Sequence, residues 1–122
     1  MNSRIVLITA LVVVGAIATA QVARTRFEAR LTGSTAAKGK AKYDTRAGKS
    51  ELQIEGENLV AGANYTVQIS DRTWSSTANA LRTIRIVQTY PGTTGPAIAA
   101  GTPVRVFNDR GDIIMSGSFA RR

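Results

Sequence analysis

Lys38, Lys40 and Lys42 stand two residues apart in Lys38-Gly39-Lys40-Ala41-Lys42-Tyr43. On an extended chain this spacing brings three ammonium groups onto one face, because side chains on a strand alternate sides. Arg24, Arg26 and Arg30 precede them, and Arg46 and Lys49 follow. Residues 21–50 hold eight bases against two acids, Glu28 and Asp44, for a net +6, whereas residues 51–122 hold seven bases against six acids. Positive charge concentrated in this way attracts polyanions: acidic envelope polysaccharide, anionic lipid headgroups or nucleic acid. Nucleic acid fits least, since no aromatic side chain interleaves the lysines to stack on bases. The candidate polyanion-binding residues are therefore Arg26, Arg30, Lys38, Lys40, Lys42, Arg46 and Lys49. A plainer role for the lysines is a solvated strand face that blunts a sheet edge. In a hairpin closed over Asp44 to Lys49, Lys42 would face Glu51, Lys40 would face Gln53 and Lys38 would face Glu55, so that the acids neutralise part of the stripe.

Other chemistries have less to work with. The chain has no His and no Cys, which removes Ser-His and Cys-His nucleophile pairs, disulfides, thiol redox work and the ordinary ligands of a tight zinc site. No cofactor and no metal are expected. An enzyme would have to use carboxylates alone. Glu51 and Glu55 would lie ~13 Å apart on a strand, too far for a glycosidase pair, and Glu55 and Glu57 ~6.6 Å apart, close enough but with nothing nearby to raise the pKa of either. No catalytic residue is assigned. Trp74, within Asp71-Arg72-Thr73-Trp74-Ser75-Ser76-Thr77, is a candidate carbohydrate-stacking platform beside hydroxyl donors, although a lone Trp in a β-domain more often packs in the core. Asn64-Tyr65-Thr66 fits a glycosylation acceptor and carries no meaning in a bacterial protein. Arg110-Gly111-Asp112 resembles the integrin-binding tripeptide displayed on fibronectin type III loops, but Gly and Asp are also what a turn prefers.

The elements that must position these residues are strands. After Arg26 the hydrophobic period is two almost throughout, and no stretch sustains a helical stripe. Alternation predicts strands over Arg26 to Thr32, Lys38 to Asp44, Ser50 to Gly56 and Asn64 to Ser70. A less regular strand is expected over Ala80 to Thr89, with a bulge, because Leu81 and Ile84 cannot otherwise share a face. Pro103 to Asn108 and Asp112 to Phe119 read as a closing hairpin, with Gly111 at the left-handed position of a type I turn plus bulge. Segments rich in Gly, Ser, Thr and Pro (Gly33 to Ala37, Ser75 to Asn79, Pro91 to Gly101) connect them. About seven short strands predict an all-β fold, an antiparallel two-sheet sandwich with immunoglobulin-like or Greek-key order, or else a small barrel.

Leu59-Val60-Ala61-Gly62-Ala63-Asn64-Tyr65-Thr66-Val67 resembles the tyrosine corner of fibronectin type III and immunoglobulin-like sandwiches. Leu59 precedes the corner Tyr65 by six residues and Gly62 by three, and Val67 and Ile69 continue the strand. The resemblance implies that the Tyr65 hydroxyl bonds back to the upstream backbone while its ring fills the core. More loosely, the succession A-R-L-T-G, G-K-A-K-Y, a charged L-x-I strand, A-G-x-x-Y-T-V and S-G-S-F is similar to small exported bacterial β-domains of unknown activity.

Export is expected from the N-terminus as well. Met1 to Arg4 is a short polar start, Ile5 to Ile17 is an unbroken apolar run, and Ala18-Thr19-Ala20 offers small residues to a signal peptidase, predicting a signal peptide over 1–20 cleaved before Gln21. An uncleaved anchor is the alternative, and usually takes ~20 apolar residues. An exported domain without Cys is more bacterial than animal in character. The sequence thus predicts a single non-catalytic β-domain over 21–122, secreted or periplasmic. It would act at the cell envelope by binding acidic polysaccharide or another envelope polyanion, with membrane contact only through an uncleaved signal. The alternative is a self-associating subunit of an extracellular fibre or matrix.

Overall fold

The computed structural model describes residues 24–122; the expected signal peptide over 1–20 lies outside them. Nine strands follow in order: β1 (Arg24–Thr32), β2 (Lys38–Arg46), β3 (Lys49–Glu57), β4 (Asn64–Ile69), β5 (Arg72–Thr77), β6 (Ile84–Pro91), β7 (Pro103–Phe107), β8 (Ile113–Ser118) and β9 (Ala120–Arg121). No helix occurs among the described residues. All pairings are antiparallel and belong to one sheet of order β5-β4-β7-β8-β1-β2-β3-β6, with β9 added beside β1.

Of the two expected architectures, the observed one is nearer the barrel. The sheet coils until its end strands β5 and β6 meet. Side chains bridge the seam: the Trp74 indole N–H donates to the Tyr90 hydroxyl at 3.1 Å, and the Arg72 guanidinium lies 5.6 Å from the Tyr90 ring centroid, a cation–π contact. The enclosed core gathers the inward alternation of the strands: Leu31, Ala41, Leu52, Ile54, Val67, Ile69, Ile84, Val104, Val106 and Met115 are buried, together with Phe119 between β8 and β9.

The contact between β8 and β1 is short and close. Only Thr32 and Ser116 face each other there, and the two backbones come close enough that a Cβ on Gly117 would run into the Arg30 carbonyl oxygen and one on Gly33 into the Ile114 carbonyl. Past Phe119 the chain continues along β1 in the same antiparallel register as β9, with Ala120 opposite Glu28 and Arg121 opposite Phe27.

Three expectations are corrected. The count is nine strands, because Arg72–Thr77, partly assigned to a connection, pairs with β4 along its whole length, and because β9 carries no periodicity to reveal it. Strand β6 begins at Ile84 and needs no bulge: Leu81 lies in the preceding turn, 82% exposed. Lastly, the β2–β3 register differs by two residues. The turn is Ala47-Gly48, with φ of 51° and 77°, the left-handed pair of a two-residue type I′ hairpin. Closing there sets Arg46 opposite Lys49, and hence Lys42 opposite Gln53, Lys40 opposite Glu55 and Lys38 opposite Glu57. The turn at Asn108 to Asp112 is as expected: Gly111 has φ 83°, and the Asn108 side-chain oxygen accepts the N–H groups of Arg110 and Asp112.

Candidate functional site

Strand β2 presents Lys38, Lys40 and Lys42 outward on one face, all exposed. Their neighbours sort them into three environments. Across the middle of the sheet runs the row Arg30, Lys40, Glu55, Arg85, directly opposed from β1 through β2 and β3 to β6. Beside it runs the row Thr32, Lys38, Glu57. These residues line a depression of about 650 Å³ that also reaches Gly39, Gly56 and Thr83. Four bases and two acids meet there. Lys38 Nζ reaches Glu57 at 3.4 Å and Arg85 Nε reaches Glu55 at 4.0 Å. Arg30 and Lys40, abreast of each other, have no carboxylate within 4.0 Å among the described residues.

Nearer the hairpin tip the charges balance. Arg26, Lys42 and Arg122 share a smaller depression of about 250 Å³ with Glu28, Asp44 and Glu51. Arg24 grips Asp44 with a two-pronged contact, Nε to Oδ1 at 3.2 Å and Nη2 to Oδ2 at 2.7 Å. Arg26 reaches the same carboxylate at 4.0 Å and Arg122 reaches Glu28 at 3.7 Å. Arg46 and Lys49 stand at the tip, opposite each other and away from the larger depression. The structure therefore brings Arg30, Lys38 and Lys40 together, sets Arg26 and Lys42 in a charge-balanced cluster with Arg46 at its edge, and leaves Lys49 at the tip, away from the larger depression.

The Arg24 hydrogen bonds hold the Asp44 carboxyl below the ordinary carboxylate range; partial burial opposes this, and the charges of Arg24, Arg26 and Arg46 reinforce it. A depressed carboxyl stabilises the fold above its unfolded-state pKa, and that contribution is lost as pH falls through the folded value. Asp44→Asn is expected to lower the thermal midpoint slightly at pH 7, and the difference should shrink as pH falls below the ordinary Asp value of about 3.9 towards the lower folded one. Because the pair is solvated, the difference at pH 7 should fade in about 1 M salt. Thermal melts across this pH range and at the two ionic strengths measure this.

Arg85 escaped the sequence reading. It sits in a half of the chain that is nearly neutral, and only the β3–β6 pairing brings it abreast of Glu55. Its outward place in the alternating Ile84-Arg85-Ile86 was the one available signal. Trp74 is half-buried against the core at the seam, its N–H engaged by Tyr90, so its ring edge is not a free polar handle for a sugar. Glu55 and Glu57 face different cations, Arg85 and Lys38. No cluster of three or more potential metal-ligating side chains occurs among the described residues. The arrangement is suited to holding anions: an exposed guanidinium abreast of an exposed ammonium, with further bases within about 14 Å of sheet. Comparison with known protein families and with curated proteins found no match to this chain.

Proposed function

We propose that this is an exported, non-catalytic protein of the cell envelope that binds an acidic polysaccharide or similar polyanion across β1, β2, β3 and β6. The observation that carries the reading is the Arg30–Lys40 pair. Like charges directly opposed on neighbouring strands destabilise a sheet, and here neither has a carboxylate within 4.0 Å among the described residues. An anionic group lying between them relieves the repulsion, and Lys38 and Arg85 extend the contact to a chain of such groups.

Each neutralised anion releases counterions, so affinity should depend steeply on salt. With heparin as the probe, the dissociation constant is expected to rise about tenfold or more between about 50 and about 200 mM salt, by the logic established for nucleic-acid phosphates. Arg30→Gln with Lys38→Gln and Lys40→Gln should flatten that slope, whereas Arg105→Gln with Arg110→Gln, on β7 and its following turn, should not. Salt-independent binding, or equal losses in the two sets, would overturn the proposal.

The alternative, a fibre or matrix subunit, is favoured by a different observation: among the described residues the backbone of β5 pairs only with β4 and that of β6 only with β3, the two end strands meeting through side chains. Strands β2 and β3 are paired on both sides along their length, so strand addition by a neighbour would fall to β5 or β6 rather than to the lysine-bearing strand. Sedimentation at rising concentration separates the readings: a fixed size supports the binding protein, and open-ended growth supports the fibre.

A further inference from the structure

Two loops meet at the end of the barrel where the basic depression opens. One leaves β3 at Glu57 and runs through Asn58, Leu59, Val60 and Ala61; the other enters β6 through Asn79, Ala80, Leu81, Arg82 and Thr83. Backbone bonds clamp them: the Leu59 N–H donates to the Arg82 carbonyl at 3.0 Å and the Gly62 N–H to the Ala78 carbonyl at 2.9 Å. The Arg82 guanidinium adds a 2.6 Å bond to the Leu59 carbonyl. Within the second loop the Asn79 side-chain oxygen accepts the N–H groups of Leu81 and Thr83 and the Thr83 hydroxyl, each at 3.0 Å. The tip is thus stiffly held: Leu59 points into the core at 2% exposure, while Leu81 at 82% and Val60 at 65% are exposed.

Singly exposed apolar side chains are ordinary on a soluble fold, but here two stand on clamped neighbouring loops beside a cluster of cations. At the boundary of an anionic bilayer the same arrangement is favourable twice, because the apolar side chains enter the acyl region while the bases meet headgroup phosphates. The cations adjoin the tip directly: Lys38 pairs with Glu57 where the first loop begins, Arg82 lies beside Leu81, and Arg85 follows Thr83 in the lining of the depression. We infer that the folded domain docks on an anionic lipid surface, with Val60 and Leu81 inserted and Arg30, Lys38, Lys40 and Arg85 against the headgroups. This rests on the basic depression being an anion site and names the bilayer as what fills it. Asp109 and Asp112 belong to the β7–β8 side of the same end, so the β3–β6 side is the one that approaches the membrane.

The chain has no Cys, so a single label can be placed at will. The full chain would carry a polarity-sensitive dye on Leu81→Cys or, as the control in the turn beyond the far end of β6, on Thr93→Cys. The probe is vesicles of phosphatidylcholine with about one-third phosphatidylglycerol. The dye at position 81 should shift to the blue and brighten while the dye at 93 does not, and vesicles of phosphatidylcholine alone should produce neither change. Val60→Ser with Leu81→Ser should weaken vesicle binding about tenfold or more, from the apolar groups withdrawn from the interface, and leave heparin affinity unaltered. A silent label at 81, equal responses at both positions, or undiminished vesicle binding by the double variant would overturn the inference; if heparin is still bound, the polyanion reading survives. Loss of heparin binding by the double variant would also overturn it, by showing that the tip is not membrane-specific. Absence of heparin and vesicle binding alike in the unaltered protein would overturn both.

Discussion

Gly117→Ala is expected to lower the unfolding free energy by about 1–3 kcal/mol, although it adds a single methyl group to a residue on a strand. Ordinarily an extra methyl on an extended backbone costs little. Here the added Cβ would collide with the Arg30 carbonyl oxygen and crowd the Leu31 side chain. Neither can yield cheaply: the carbonyl belongs to β1, which is paired with β2 along its whole length, and Leu31 is fully buried. The strain would fall on the β8–β1 junction. Ser116→Ala, at the exposed neighbouring position, should change stability by under about 0.5 kcal/mol. Urea titration followed by Trp74 fluorescence measures both. Equal midpoints would mean that β8 and β1 do not approach so closely.

Tyr65→Phe should cost about 1–3 kcal/mol, for a reason that starts in the loop before β4. The Val60 N–H donates to the Tyr65 hydroxyl at 2.9 Å, and the ring is 4% exposed. Removing the hydroxyl leaves the ring packed but strips the Val60 N–H of its acceptor. That N–H belongs to the loop clamped against Arg82, so the variant should also loosen the tip and speed amide exchange at Val60. Thr66→Ala, on the opposite face of the same strand, should cost under about 0.5 kcal/mol. Equal effects at 65 and 66 would refute the inward placement of Tyr65.

Both effects bear on how far the chain could be read unaided. The resemblance of the Leu59, Gly62 and Tyr65 segment to a tyrosine corner implied a phenol bonded to the backbone upstream, and that bond is a local event across five residues, which a short motif can carry. The Gly117 contact was not. It joins two strands far apart in sequence, and a glycine within Ser116-Gly117-Ser118 looks the same whether it faces water or a carbonyl.

What the sequence by itself determined is everything that depends on period two. Alternation showed that the chain is built of strands, that Lys38, Lys40 and Lys42 share a face, and that Leu52, Ile54, Val67 and Ile69 point the other way. Gly111 could be assigned its turn, since few residues tolerate that backbone conformation. Partnership was decided only by the tertiary structure. Periodicity tells which side of a sheet a residue occupies, not which residue lies across from it, and a shift of two along a strand preserves every face while replacing every neighbour. The Ala47-Gly48 turn made that choice for β2 and β3, setting Lys38 opposite Glu57 and Lys40 opposite Glu55 in register. The β3–β6 pairing added Arg85 to the row. Closure of the sheet drew Trp74 to Tyr90 across the seam, and the clamp between Leu59 and Arg82 turned Leu81 from an expected strand residue into an exposed apolar tip. Each of these outcomes depends on contacts between segments distant in the chain, whose free energies are settled only when the whole barrel has formed.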